Sequence, residues 1–142
     1  MLDSQQGSIY RVILGFFIAL AFCFALIWPQ YSKRYNAKQL SKAAELGRAL
    51  AFAEESYKQN TGNYTAQFGK LNLSLPCPLI AQEGQTQLSC PHYVYTLEQG
   101  HLIKAAHKQI PVWLEIDIPA GTVACKYSDD DWAGQDLCSR MQ

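Results

Sequence analysis

Five cysteines and three histidines are the residues of this 142-residue chain best suited to chemistry, and their spacing decides which chemistry. Cys23 lies inside an apolar run, which leaves Cys77, Cys90, Cys125 and Cys138 as two pairs with twelve residues inside each. Four cysteines so placed in a small domain read as disulfides formed in an oxidising compartment. Three pairings are open. The equal intervals favour Cys77–Cys90 and Cys125–Cys138, each closing a loop of about 14 residues worth on the order of 3 kcal/mol. The alternative is zinc, since His92 stands two residues from Cys90, but no C-x-x-C is present. No metal and no cofactor are expected, and Cys23 reads as an apolar filler.

His92, His101 and His107 have no serine, cysteine or carboxylate at a spacing that implies acid–base or nucleophilic catalysis, so no enzyme is expected. A phosphate-cradling G-x-x-x-x-G-K-S loop is absent from the sequence. Asp129, Asp130 and Asp131, with Gly134 and Asp136, offer oxygen ligands but not at the spacing of a calcium loop, and a solvated acidic loop is expected. Tyr93, Tyr95, Trp113 and Tyr127 are of the type that stacks on bases. Without interleaved Lys and Arg they read as core and cross-strand packing. Twelve Lys and Arg balance twelve Asp and Glu, so no global field recruits a polyanion, which argues against nucleic acid as a partner. Asn63-Tyr64-Thr65 and Asn72-Leu73-Ser74 match the glycosylation pattern, which presupposes a suitable host.

The elements that position these residues begin with residues 12–28, an uncharged run closed by Pro29. As a helix it spans roughly 25 Å, close to the ~30 Å hydrocarbon core of a bilayer. A buried core helix would show a polar face and this run has none. A cleavable signal would carry a basic n-region and a small-residue site, and neither is present. A retained anchor is therefore expected, kinked at Pro29 where the ring removes a backbone donor. Lys33, Arg34 and Lys38 follow the run, whereas Arg11 alone precedes it; the positive-inside rule would keep the following domain in the cytoplasm. The four cysteines point the other way, and we follow the cysteines.

Beyond the anchor, Leu40, Ala43, Ala44, Gly47, Leu50, Ala51 and Tyr57 recur at helical spacing, with Lys42, Glu45, Arg48, Glu55 and Lys58 on the other side. The small residues leave room for a sheet to approach closely. Gly62 supplies the helix stop. Residues 64–89 show no sustained period and read as a connecting segment. A hairpin over residues 92–106 turns at Gln99-Gly100, and residues 112–118 alternate, with Val112, Leu114, Ile116 and Ile118 inward and Trp113 outward. A turn at Pro119-Ala120-Gly121 leads to a short fourth strand over 122–126. The tail from Tyr127 reads as a polar loop stitched back by Cys138.

In this order the features resemble the type IV pilin and pseudopilin family over nearly the whole chain. The local likenesses are Leu26-Ile27-Trp28-Pro29-Gln30-Tyr31, the stretch from Ala53-Glu54-Glu55-Ser56-Tyr57 through Thr61-Gly62-Asn63-Tyr64-Thr65, and the Cys125 to Cys138 loop. The implied fold is α+β: a long N-terminal helix packed on a four-stranded antiparallel sheet with a disulfide-closed C-terminal loop. The implied division is a leader at 1–7, a transmembrane part at 8–30 and a globular domain at 31–142. Within the domain fall an amphipathic helix (31–60), a connecting loop (61–91), a sheet (92–126) and a disulfide loop (125–142).

Laying the family's proline on Pro29 puts its processing glycine at Gly7, so that prepilin peptidase would cut before Ser8; methylation belongs to the same family pattern. Three departures stand out. Ser8 replaces the usual phenylalanine, the leader lacks lysines, and Val12 replaces the glutamate that would pair with a neighbouring subunit's N-terminal amine. Arg11 adds a charge that must snorkel or find a partner.

The resemblance implies a minor pilin or pseudopilin that serves as a structural or assembly subunit of a pilus or a type II secretion apparatus. Its partners would be other pilin-like subunits, met through the apolar helix in the bacterial inner membrane. Its domain would lie in the periplasm or a surface filament. The alternatives are a pilus-tip adhesin or DNA receptor, presenting its aromatic strand and acidic loop, and an anchored periplasmic enzyme or metal protein.

Overall fold

Residues 3–82, 84–98 and 100–141 are described by the computed structural model. Met1 and Leu2 of the expected leader and Gln99 of the expected hairpin turn lie outside them. Helix α1 (Asp3–Thr61) begins within the expected leader and carries Gly7, Ser8, Val12 and Pro29 inside it. The chain divides into two compact units, Met1–Asn36 and Ala37–Gln142, where a boundary after Gln30 was expected.

In the second unit the C-terminal part of α1 buries one stripe, Leu40, Ala43, Ala44, Leu50 and Ala51, against the sheet. Lys42, Glu45 and Arg48 remain exposed, as the 3.6-residue period requires. Gly62 ends the helix at φ +90°, a conformation that side-chain-bearing residues avoid, and its N–H donates to the Lys58 carbonyl at 2.7 Å.

The sheet has six strands rather than four: β1 (Leu79–Gln82), β2 (Gln85–Ser89), β3 (Tyr93–Glu98), β4 (Leu102–His107), β5 (Val112–Asp117) and β6 (Val123–Tyr127). All pairs are antiparallel and the spatial order follows the chain. The two additional strands occupy the stretch expected to be a connecting loop. They are short, and β1 is exposed along its whole length, so no alternation betrays them. The loop before them docks through Thr86, whose N–H donates to the Ala66 carbonyl at 3.0 Å and whose Oγ1 accepts from the Phe68 N–H at 2.7 Å.

In β3 and β5 burial alternates strictly, placing Tyr93, Tyr95, Leu97, Val112, Leu114 and Ile116 in the core and Trp113, Glu115 and Asp117 on the other face. The Tyr95 hydroxyl donates to the Ala43 carbonyl of α1 at 3.2 Å and so ties helix to sheet from within the core.

The tail also departs from expectation: it holds helix α2 (Trp132–Ser139) instead of a polar loop throughout. Asp131, the last residue of the acidic run, is its N-cap, with Oδ1 and Oδ2 accepting from the Ala133 and Gly134 N–H groups at 3.2 and 3.1 Å. Gly134 is where α2 meets the sheet. A Cβ there would lie 2.7 Å from the Tyr127 Cβ, 2.7 Å from the capping Asp131 Oδ2 and 2.8 Å from a Val112 methyl. Because the Tyr127 Cβ cannot swing away, Gly134→Ala is expected to lower unfolding stability by about 2 kcal/mol through overpacking and a weakened cap. Chemical denaturation of the variant beside the parent measures it; an unchanged midpoint would show that α2 can slide on β6 without loss.

Candidate functional site

Large apolar side chains surround α1 in the first unit. Phe16, Phe17, Ile18, Phe22, Phe24 and Ile27 are all exposed, and consecutive positions point about 100° apart, so no polar face interrupts them. Among the described residues this one helix is long and apolar enough to cross a membrane, and none of its most apolar stretch is buried. A surface of that extent suits cover by lipid or by other apolar helices. At the position where an acid is usual in the resembled family, Val12 is exposed, and Cys23 is an exposed free thiol. Trp28 and Tyr31 stand at the far end, followed by exposed Lys33 and Arg34.

The residues singled out for chemistry separate in space. Cys77 is bonded to Cys90 and Cys125 to Cys138, the pairing favoured by the equal intervals. That removes Cys90 as a zinc ligand for His92. The His92 and His107 rings stack with centroids 6.3 Å apart, and Tyr93 meets His107 edge-on at 4.9 Å. The His107 Nδ1 accepts from the N–H groups of Gln109 and Ile110 at 3.0 and 3.2 Å, which fixes the tautomer that carries its proton on Nε2. Burial, reinforced by the neighbouring His92, holds His107 below its usual titration range. This histidine shapes the β4–β5 turn.

The strand aromatics pack in the core and across strands and form no stacking platform, in line with the sequence pattern. Tyr93 and Tyr95 are core residues, and burial pushes the Tyr93 phenol up to about 12. Trp113 faces outward, but the Lys104 ammonium lies 5.3 Å from its ring centroid and its indole N–H donates to Glu115 Oε1 at 3.0 Å. The large aromatics that do stand exposed in this unit are Phe52 on α1, at 77%, and Trp132 on α2, at 73%.

Glu54, which sequence reasoning left unused, is fully buried. Its Oε2 accepts from the Thr65 N–H at 3.0 Å, while Oε1 has no partner among the described residues. One residue on, the Glu55 Oε2 accepts from the Tyr64 hydroxyl at 2.8 Å, and Lys58 donates to the same hydroxyl at 3.2 Å. Together they clasp the chain as it leaves α1. The available signal was a charge placed on the buried stripe, four residues after Leu50.

Burial raises the Glu54 carboxyl above its ordinary value of 4.5, and the Thr65 bond lowers it in part. The folded chain therefore keeps a proton that the unfolded chain has already lost. Stability from this group is complete below about pH 4.5 and is lost as pH rises through the folded-state value. Glu54→Gln retains an acceptor for Thr65 and cannot titrate. It is expected to flatten the decline and to match or exceed the parent at neutral pH, whereas Glu54→Leu strands the Thr65 N–H at a cost of about 1–3 kcal/mol. Urea titrations between pH 4 and 8 measure both, and a decline that persists in the glutamine variant assigns it to another group.

Two open clefts of about 470 and 490 Å³ flank α1 in the second unit. Phe52, Tyr57, Lys70 and Leu73 contribute to the first, and Arg48, Tyr127, Gln135 and Met141 to the second; neither is lined by a histidine or a carboxylate. No group of three or more metal-capable side chains converges among the described residues. No protein-family model matches the chain, and no curated protein or solved structure matches it either.

Proposed function

We propose that the chain is a membrane-anchored structural subunit that works by assembly: its apolar helix packs beside other such helices, and its disulfide-stapled sheet domain projects into an oxidising compartment. The observation that carries this reading is α1, which is apolar on every side in one unit and supplies the core stripe of a sheet domain in the other. Of the residues first singled out for chemistry, the four domain cysteines, His107 and Asp131 are engaged in disulfides, a turn and a helix cap.

The finer assignment is a minor pilin or pseudopilin of a type IV pilus or type II secretion apparatus, held in the bacterial inner membrane. It rests on the resemblance in residues 26–31, 53–65 and 125–138 and on the helix-on-sheet arrangement. Val12 in place of an acid suits a subunit at a filament tip, where no further neighbour has to be recruited through that position.

Intact-mass and N-terminal analysis of membrane-extracted protein tests the proposal. A chain beginning at Ser8 and lighter than its reduced form by the four thiol hydrogens is expected. Cleavage just after Pro29, which discards the apolar helix, would overturn it.

A further inference from the structure

Charge in this chain is balanced in sum but segregated along its length. Residues 1–44 hold five bases (Arg11, Lys33, Arg34, Lys38 and Lys42) against the single acid Asp3, a net +4. Residues 45–142 hold seven bases against eleven acids, a net −4. From Gln5 to Ala44 there is no carboxylate side chain at all. Arg34 forms no ion pair among the described residues. Lys33 and Arg34 are exposed, and so are Trp28 and Tyr31, at 70% and 69%.

Helical spacing puts Trp28, Tyr31 and Arg34 on one face, at steps of three residues. Amphipathic aromatics followed within a turn by cations form the pattern that settles at the boundary between acyl chains and headgroups. The bases also lie at the end of the apolar run that leads to the disulfide-bearing domain, where the positive-inside rule would not put them. An attraction to the bilayer surface accounts for them there.

We propose that Lys33 and Arg34, with Trp28 and Tyr31 beside them, bind the headgroups of acidic phospholipids at this end of the anchor. The inference rests on the membrane-anchored reading above. The ligand chemistry is a phosphodiester anion in a lipid headgroup. Trp28 and Tyr31 set the depth of the helix and the cations collect the anionic lipid around it. The acidic balance of residues 45–142 disfavours adsorption of that part on the same surface.

The test uses the full chain reconstituted in bilayers of equal parts phosphatidylglycerol and phosphatidylcholine, released in mild detergent, with retained lipids counted by mass spectrometry. Phosphatidylglycerol is expected to be enriched about fivefold or more over phosphatidylcholine, on the order of the preference that one interfacial charge confers. The enrichment is expected to fall to the bulk ratio in K33Q/R34Q, to survive in K33R/R34K, and to weaken in 0.5 M salt. Equal retention of the two lipids by the parent chain overturns the inference while leaving the anchor intact. Loss of the enrichment in 10 mM inorganic phosphate at constant ionic strength assigns the residues to free phosphate and overturns the lipid assignment. A parent chain that carbonate extracts from the bilayer overturns the anchored reading itself, and the inference with it.

Discussion

Replacing all four domain cysteines with alanine is expected to cost about 6 kcal/mol, a large share of the stability of a domain of this size. Each bond closes a loop across a sequence separation of 13 residues, worth about 3 kcal/mol in the chain-entropy account. Against this stands a total of about 5–15 kcal/mol for a typical domain. Alanine is the right replacement, because Cys90 and Cys138 are buried and serine would add an unpaired hydroxyl at each.

The two bonds should fail differently. Cys77–Cys90 ties the chain entering β1 to the end of β2, where the Ser89 N–H also donates to the Pro78 carbonyl at 2.9 Å. C77A/C90A is therefore expected to speed amide exchange in β1 and β2 before the rest of the sheet. Cys125–Cys138 fastens α2 to the outer strand β6, so C125A/C138A is expected to release α2. Denaturation with and without reductant gives the totals, and exchange resolved by residue gives the locations. A parent chain whose midpoint is indifferent to reductant would show that the sheet and helix suffice without their staples.

Those pairings were legible because cysteine spacing is a local quantity, and so was the inner face of β5, where Val112, Leu114 and Ile116 alternate with Trp113 and Glu115. The stripe from Leu40 to Ala51 was legible for the same reason. What escaped was structure stabilised from elsewhere. Strands β1 and β2, with the sequences LIAQ and QTQLS, carry little alternation of their own and are held by the Cys77–Cys90 bond, by Thr86 and by pairing with β3. Helix α2 is one of eight residues whose signals were an aspartate cap mistaken for part of an acidic loop and a cysteine already assigned to a disulfide. The candidate site shows the same limit. Composition marked the apolar helix, but only tertiary packing could lay Lys104 over Trp113 and turn Glu54 inward.

Gly47→Leu is expected to be the most damaging single substitution on α1. A Cβ at this position would lie 2.8 Å from the Ile116 Cδ1 and 3.0 Å from its Cγ1, and Ile116 is completely buried. The helix rides this close to β5 because Ala43, Ala44 and Ala51 flank the same contact. For Gly47→Ala, a gain of about 1 kcal/mol in helix propensity opposes an overpacking cost of about 1–3 kcal/mol. The net change stays small because the tip of Ile116 can rotate. Leucine has no such exit: it must displace Ile116 or lift α1 from the sheet, at an expected cost of about 3 kcal/mol or more.

The contact can be isolated by a cycle. Ile116→Ala alone opens a cavity and is expected to cost about 2–5 kcal/mol, yet in the double variant the leucine side chain occupies that space. G47L/I116A should therefore be more stable than the sum of its parents predicts, by at least about 1 kcal/mol. Additivity within about 0.5 kcal/mol would show that the helix moves off β5 freely. In that case the small residues on this stripe would not set the distance between helix and sheet.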